Sequence, residues 1–234
     1  LDTPGEARGL AVVDKYAYVA DHNRGLRVVE ISTPAKPVEV GFYDKPRSVR
    51  DVLLVKAGSG SEKKAYVYLA EGERGIRIED VTDPKDPQEI GHFEQTGKAE
   101  DIAVKGDLAF VADEKGLQVL NISDPKNPAL SGTFGTSGKA LAVAVVEQTA
   151  YIANREFGLR IADIANPKEI KATGLYDTPG IAQDVAVAGN YAYIADGAAG
   201  LQIANISNPR DPKTASVIDL FEDARSVAVV GDYA

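Results

Sequence analysis

The sequence predicts an all-β protein: a β-propeller of four-stranded antiparallel blades, forming one domain over 1–234. Three observations carry this. A Gly opens the same phrase five times, at Gly25, Gly75, Gly116, Gly158 and Gly200, at intervals of 50, 41, 42 and 42 residues. A Pro follows nine residues after each, at Pro34, Pro84, Pro125, Pro167 and Pro209. Around these marks lie short runs rich in Val, Ile, Tyr, Phe and Ala, with no sustained helical period. Strand-rich units of about 40–45 residues are the signature of propeller blades; a β-sandwich, the main rival, needs no fixed period.

Each unit supplies four strands in order. Strand a reads "GLAVV", "DVLLV", "DIAVK", "AVAVV" or "DVAVA", and strand b "YAYVAD", "AYVYLAE", "LAFVAD", "TAYIAN" or "YAYIAD". The b–c link begins with an acid or amide and ends in Gly, which suits a tight turn closed at positive φ. Strand c reads "LRVVE", "IRIED", "LQVLN", "LRIAD" or "LQIAN". In the c–d link a Ser, Thr or Asx residue precedes Pro; its side chain can bond the local backbone while Pro stops the ladder. Strand d aligns as "VEVGFYD", "QEIGHFE", "ALSGTFG", "KATGLYD" and "SVIDLFE".

These units divide the chain into blades at about 6–46, 47–97, 98–138, 139–180 and 181–223, with a partial blade at 224–234. The partial blade, "ARSVAVVGDYA", matches the first strand a, and "LDTPG" at 1–5 matches "YDTPG" at 176–180. Five whole units between two stubs, starting at Leu1 rather than Met, predict a segment of a longer chain. The alternative is a second chain that supplies the missing strands. The second unit carries an a–b insertion, "GSGSEKK" at 58–64, which reads as a tolerated loop.

Composition narrows the function classes. With 26 Lys and Arg against 35 Asp and Glu, the net charge of −9 argues against a nucleic-acid footprint. The absence of Cys removes disulfides, thiol nucleophiles and thiolate metal sites. No apolar run approaches the ~20 residues of a membrane-spanning helix. The two histidines, His22 and His92, lack metalloprotease spacing, and no nucleophile-elbow motif supports a triad built on His22. "NIS" at Asn121 and Asn205 matches the glycosylation pattern, but both are repeat residues at strand ends.

Strand c, the "IS-N/D-P-x-x-P" turn after it and the "YAYVAD" strand before it resemble the LVIVD repeat, and the resemblance covers essentially the whole chain. The fourth copy departs from the pattern: "ANPKEI" lacks the second Pro, which implies a looser turn. The resemblance implies a β-propeller of the kind described in bacterial and archaeal surface or secreted proteins, often as one module of a longer chain. It therefore implies an extracellular or cell-surface location and brings no catalytic motif.

In a propeller the start of strand a lies at one mouth of the central channel, so the residues entering it are the first candidates for a site. They include Arg8, Arg50, Asp51, Glu100, Asp101, Gln183, Asp184 and Arg225, with Leu141 and Ala142 in the fourth unit. Asp51, Asp101 and Asp184 share one position in three blades and are candidate ligands for a divalent cation such as Ca²⁺. The plainer reading is that they accept backbone N–H groups or pair with Arg50 and Arg225. Asp21, Glu71, Asp113, Asn154 and Asp196 close strand b, and Glu30, Asp80, Asn121, Asp163 and Asn205 close strand c; recurrence in every blade predicts turn roles for both sets.

The expectation is a non-enzymatic binding or scaffold module that presents loops on one face to a protein or glycan partner, or to neighbouring domains of the same chain. The alternatives are a propeller enzyme with a cation at the channel mouth, and a structural subunit of a larger extracellular assembly.

Overall fold

The computed structural model describes residues 1–45, 48–57, 63–94, 97–220 and 222–234. Most of the "GSGSEKK" insertion and Phe221 of the last strand d segment lie outside the described residues. The chain folds as a β-propeller of five four-stranded antiparallel sheets, each a simple meander.

The first blade is β1 (Gly9–Val13), β2 (Tyr16–Ala20), β3 (Leu26–Glu30) and β4 (Val38–Tyr43). The second is β5 (Asp51–Ala57), β6 (Lys64–Ala70), β7 (Ile76–Asp80) and β8 (Gln88–Phe93). The third is β9 (Asp101–Lys105), β10 (Leu108–Asp113), β11 (Gly116–Asn121) and β12 (Ala129–Gly135). The fourth is β13 (Ala142–Val146), β14 (Thr149–Ala153), β15 (Leu159–Asp163) and β16 (Lys171–Tyr176). The fifth is β17 (Asp184–Ala188), β18 (Tyr191–Ala195), β19 (Leu201–Asn205) and β20 (Lys213–Ile218). The insertion in the second blade lengthens its first hairpin: β5 and β6 pair over seven residues each, where β1 and β2 pair over five.

Two compact units make up the chain, 1–109 with 121–129 and 110–120 with 130–234. In the first, Tyr18, Leu26, Val28, Val49, Val52, Val67 and Leu69 form a buried cluster. In the second, Tyr151, Leu159, Ile161, Tyr176, Val185, Ile194 and Ile206 do the same. Alternation puts one row of each strand into these clusters, since successive side chains of a strand face opposite sides.

The turns carry the fold locally. Gly25, Gly75, Gly158 and Gly200 close the b–c loops at φ between 66° and 77°, a region that costs a side chain energy. In the c–d turns the predicted side-chain bonds form: Asp83, Asp124, Asn166 and Asn208 each accept the backbone N–H two residues on. The fourth turn keeps the geometry of the rest although it lacks the second Pro. Glu169 N donates to Asn166 O at 2.9 Å, as Lys36 N does to Thr33 O at 2.8 Å. The Asx side chain and the first Pro suffice to set this turn.

A one-residue bulge interrupts the c–d pairing at Val28/Val29, Ile78/Glu79, Ile161/Ala162 and Ile203/Ala204. It also corrects the reading of the fifth strand d. Matching "SVIDLFE" by its aromatic end puts Asp219 at the position of Gly41 and Gly174. The register instead places Ser216 there, opposite Ile203, as Gly174 stands opposite Ile161.

Candidate functional site

Residues that recur in every blade are occupied with holding the blades. Asp21 and Asp196 are fully buried. Thr178 Oγ1 donates to Asp196 Oδ1 at 2.6 Å and Gly180 N to Oδ2 at 2.8 Å. Thr3 and Gly5 make the same pair of bonds to Asp21. The "DTPG" segment before strand a is thus latched onto the b–c loop of the blade it leads into. Burial raises the Asp196 pKa, and the Thr178 and Gly180 bonds work against that rise. Asn154 accepts Thr136 Oγ1 at the matching place. In the third blade Asp113 turns inward and accepts Lys115 N and Gly116 N.

Because hydrogen bonds to charged groups contribute about 1.5–3 kcal/mol each, Thr178→Val is expected to destabilise the protein by about 2 kcal/mol. Urea unfolding checks this: the midpoint falls while the slope stays unchanged.

The second residue of strand c, Arg or Gln in every copy, was not singled out from the sequence, although its recurrence is visible there. Arg27, 5% exposed, lies 3.6 Å from Asp21, 3.7 Å from Glu39 and 2.5 Å from Asp44. Arg77 donates to Glu71 at 3.0 Å and to Glu89 at 2.6 Å. Gln118 donates to Asp113, and Gln202 to the Ala199 carbonyl. This row ties strand c to the b–c loop and, in the first two blades, to strand d.

The second blade holds a further group with no counterpart in the other blades. Glu79 is fully buried and neither of its carboxyl oxygens meets a hydrogen-bond donor. Val29, Ala162 and Ala204 occupy its register position in other blades. Burial, reinforced by the Glu71 and Glu89 charges and only partly offset by Arg77, pushes its pKa up to about 9.

The residues that enter strand a separate into distinct roles. Asp184 caps the next such segment: its carboxylate accepts Val227 N at 2.8 Å, Ser226 Oγ at 2.7 Å and its neighbour Val185 N. Asp51 accepts Ile102 N at 3.4 Å, and Asp101 accepts the same N–H at 2.8 Å. These bonds match the plainer reading of the three carboxylates. Among the described residues no group of three Asp, Glu or His side chains is arranged to hold a metal ion. Arg8 pairs with Glu6 in solvent, Arg225 is exposed, and Gln183 N donates to Ala195 O.

Arg50 and Glu100 come together, with Arg50 Nη1 at 2.5 Å from the carboxylate. This pair borders a cleft of about 300 Å³ lined by Ser48, Arg50, Glu71, Glu73, Arg74 and Lys98. One lining residue, Ser48, and its neighbour His22 are held under backbone strain. Ser48 has φ 65° and His22, whose Nε2 is 3.5 Å from Ser48 Oγ, has φ 43°. The His22 position is structural in origin: it bridges Val49 just as Gly72 bridges Ala99 and Gly197 bridges Ala224. Where two blades use Gly, the first keeps a strained His, and the fourth a strained Arg155 at φ 47°. The cleft is lined by two guanidinium groups, an ammonium, two carboxylates and a hydroxyl, which is a set of donors and acceptors.

Comparison with known proteins agrees with this architecture. The LVIVD repeat model matches residues 4–45, 96–136, 137–178 and 179–218. Between the first two matches lies the second blade, with its long hairpin and buried Glu79. No curated protein matches the chain. Among solved structures, the crystal structure of the computationally designed Ika8 protein is similar in fold, with a TM-score of 0.69 at 10% identity. The likeness covers 97% of this chain and 66% of that one, so the chain spans just under two thirds of the designed protein. The matched segments take up well over half of the sequence, and the chain belongs to the LVIVD repeat family.

Proposed function

We propose that this chain is a non-enzymatic binding or scaffold module of a cell-surface or secreted protein, presenting the loops of one propeller face to a protein or glycan partner. The single observation that carries the reading is the cleft at Ser48, Arg50, Glu71, Glu73, Arg74 and Lys98. Apart from Glu71, which recurs and is held by Arg77, its residues lie where the copies differ, on loops braced by strands whose recurring residues are engaged in structural bonds. Mixed cations, carboxylates and a hydroxyl suit a ligand that both donates and accepts, as sugar hydroxyls and peptide groups do. The surface or secreted location rests on the family resemblance.

Titration calorimetry against acidic and neutral oligosaccharides tests the reading, with Arg74→Ala/Lys98→Ala as the paired variant. Saturable binding that weakens at least tenfold in the variant is the expected result, since removing two charge-assisted contacts costs more than 1.4 kcal/mol. Equal binding by both proteins, or turnover of a small ester, lactone or phosphate, sinks it.

A further inference from the structure

In four blades strand b closes on an acid: Asp21, Glu71, Asp113 or Asp196. The fourth blade closes on the amide of Asn154, yet it keeps an arginine, Arg160, at the second place of strand c. In the first two blades the matching guanidinium is neutralised from two sides. Arg27 lies 3.6 Å from Asp21 and 3.7 Å from Glu39. Arg77 lies 3.0 Å from Glu71 and 2.6 Å from Glu89. Glu39 and Glu89 share a register position on strand d, and in the fourth blade Ala172 occupies it. Asp177 follows Tyr176 as Asp44 follows Tyr43, but it is exposed, and among the described residues no carboxylate forms an ion pair with Arg160.

Arg160 is half-buried. Its Nη2 donates to Ser137 Oγ at 3.4 Å, and its Nε is buried without a partner. Asn154 brings it no negative charge in either orientation of the amide. Thr136 Oγ1 has one proton and two acceptors, Gly138 O at 2.6 Å and Asn154 Oδ1 at 2.9 Å, so a turned amide could equally donate to Thr136. The space beside the guanidinium is open as well. Between the first two blades the Tyr43 hydroxyl donates to Glu89. Between the third and fourth, Phe134 stands at the place of Tyr43 without a hydroxyl, and Ala172 at the place of Glu89 without a carboxylate. A cleft of about 160 Å³ remains, lined by Phe134, Thr136, Ser137, Arg160, Ile161 and Ala172 among others.

We propose that this cleft binds a carboxylate carried on a short aliphatic stem, with Arg160 as its ion-pair partner. The first two blades are the template, because there the same guanidinium takes the carboxylate of a glutamate at the position that Ala172 leaves empty. A guanidinium fork matches the two oxygens of a carboxylate. The Ser137 hydroxyl, which accepts from Arg160, keeps its own proton to donate. Phe134 and Ile161 give the methylenes of the stem an apolar wall. The site shares no residue with the cleft at Arg50 and Arg74.

Titration of the whole chain with glutarate at fixed ionic strength tests this, with heteronuclear NMR at the Arg160 Nε–Hε and Ser137 N–H signals as the readout. Both signals are expected to shift saturably. Arg160→Gln, which places the residue of the third and fifth blades here, abolishes the Ser137 response. Ala172→Glu supplies the carboxylate from within the chain. It is expected to weaken glutarate binding by roughly tenfold or more, and to move the free Arg160 signal toward its ligand-saturated position. Its urea midpoint rises as well. An acetylated, amidated Gly-Glu-Gly peptide separates the sources: tighter binding than glutarate points to an acidic side chain of a partner, weaker binding to a free dicarboxylate. Inorganic phosphate that binds as tightly as glutarate overturns the assignment to a carboxylate. No saturable shift with glutarate or the peptide, or an Ala172→Glu protein that binds like the parent, overturns the site. Both signals belong to this cleft, so the result stands apart from the oligosaccharide test.

Discussion

Glu79→Leu stabilises the protein by about 3 kcal/mol at pH 7 and removes most of the decline of its stability toward alkaline pH. Glu79 is a fully buried carboxyl with two unmet oxygens, facing Glu71, Arg77 and Glu89. Arg77 is already engaged by Glu71 and Glu89, and Glu89 also accepts the Tyr43 hydroxyl, with His92 3.7 Å away. No cation is left for Glu79, so burial decides its state, and its pKa rises from 4.5 to about 9. A carboxyl with a raised folded pKa binds its proton more tightly folded than unfolded. Stability is therefore fullest below about pH 4.5 and falls as pH climbs through neutrality to about 9. Each unit of separation is worth about 1.4 kcal/mol, which gives about 3 kcal/mol at pH 7. Leu stands at the equivalent place in the third blade, as Leu120, so the site accepts that volume in this fold. Glu79→Gln is the companion: it loses the same pH dependence but leaves a buried amide unpaired, so it falls short of Leu in stability. Urea midpoints at pH 5, 7 and 8.5 decide the matter. Parallel curves for the parent and Glu79→Leu would overturn this, because they would mean that Glu79 is as ionised in the folded protein as in the unfolded chain.

Glu79 also marks where sequence reading stops. The strands and turns were legible because their causes are local: Gly at positive φ, Asx before Pro, and alternation of apolar residues over five copies. The structural roles of Asp21 and Asp196 were legible for the same reason, since a residue repeated in every blade serves the blade. The partners of those carboxylates were not, because Thr3 and Thr178 reach them from 18 residues away. "IRIED" shows an acid where its relatives have Val, Leu or Ala, but only burial and the prior engagement of Arg77 make it an unpaired charge. The fifth strand d differs from its sequence alignment by three residues: its aromatic stands five rather than two residues after the position opposite Ile203, and the constant spacing from Pro209 to Ser216 is the signal that gives the register. Of the residues entering strand a, Arg50 and Glu100 meet beside a cleft, while Arg8 and Arg225 point to solvent. That difference depends on the neighbouring b–c loop, which no single segment encodes.

Gly132→Ala is expected to cost about 3 kcal/mol, and Gly135→Ala, three residues along the same strand, to cost nothing or stabilise slightly. The contrast isolates space from backbone freedom, because neither glycine has a positive φ. At Gly132 an added methyl would lie 1.8 Å from the Pro167 carbonyl oxygen and 2.9 Å from its carbon. Neither is a flexible side-chain end, so the c–d turn of the fourth blade has to retreat, and the packing around Pro167 loosens with it. At Gly135 the nearest atom to an added methyl is the Lys115 carbonyl oxygen at 4.0 Å, an ordinary contact. There Ala mainly reduces the freedom of the unfolded chain, a gain of about 0.4–1 kcal/mol. Gly106→Ala completes the set: nothing lies within 4 Å, but its φ of 57° charges any side chain about 1 kcal/mol. Denaturant unfolding of the three variants should therefore rank Gly135→Ala above Gly106→Ala above Gly132→Ala. If Gly132→Ala matches Gly135→Ala, the turn yields freely, and the blades are held by their apolar faces without a steric lock between strand d and the next turn.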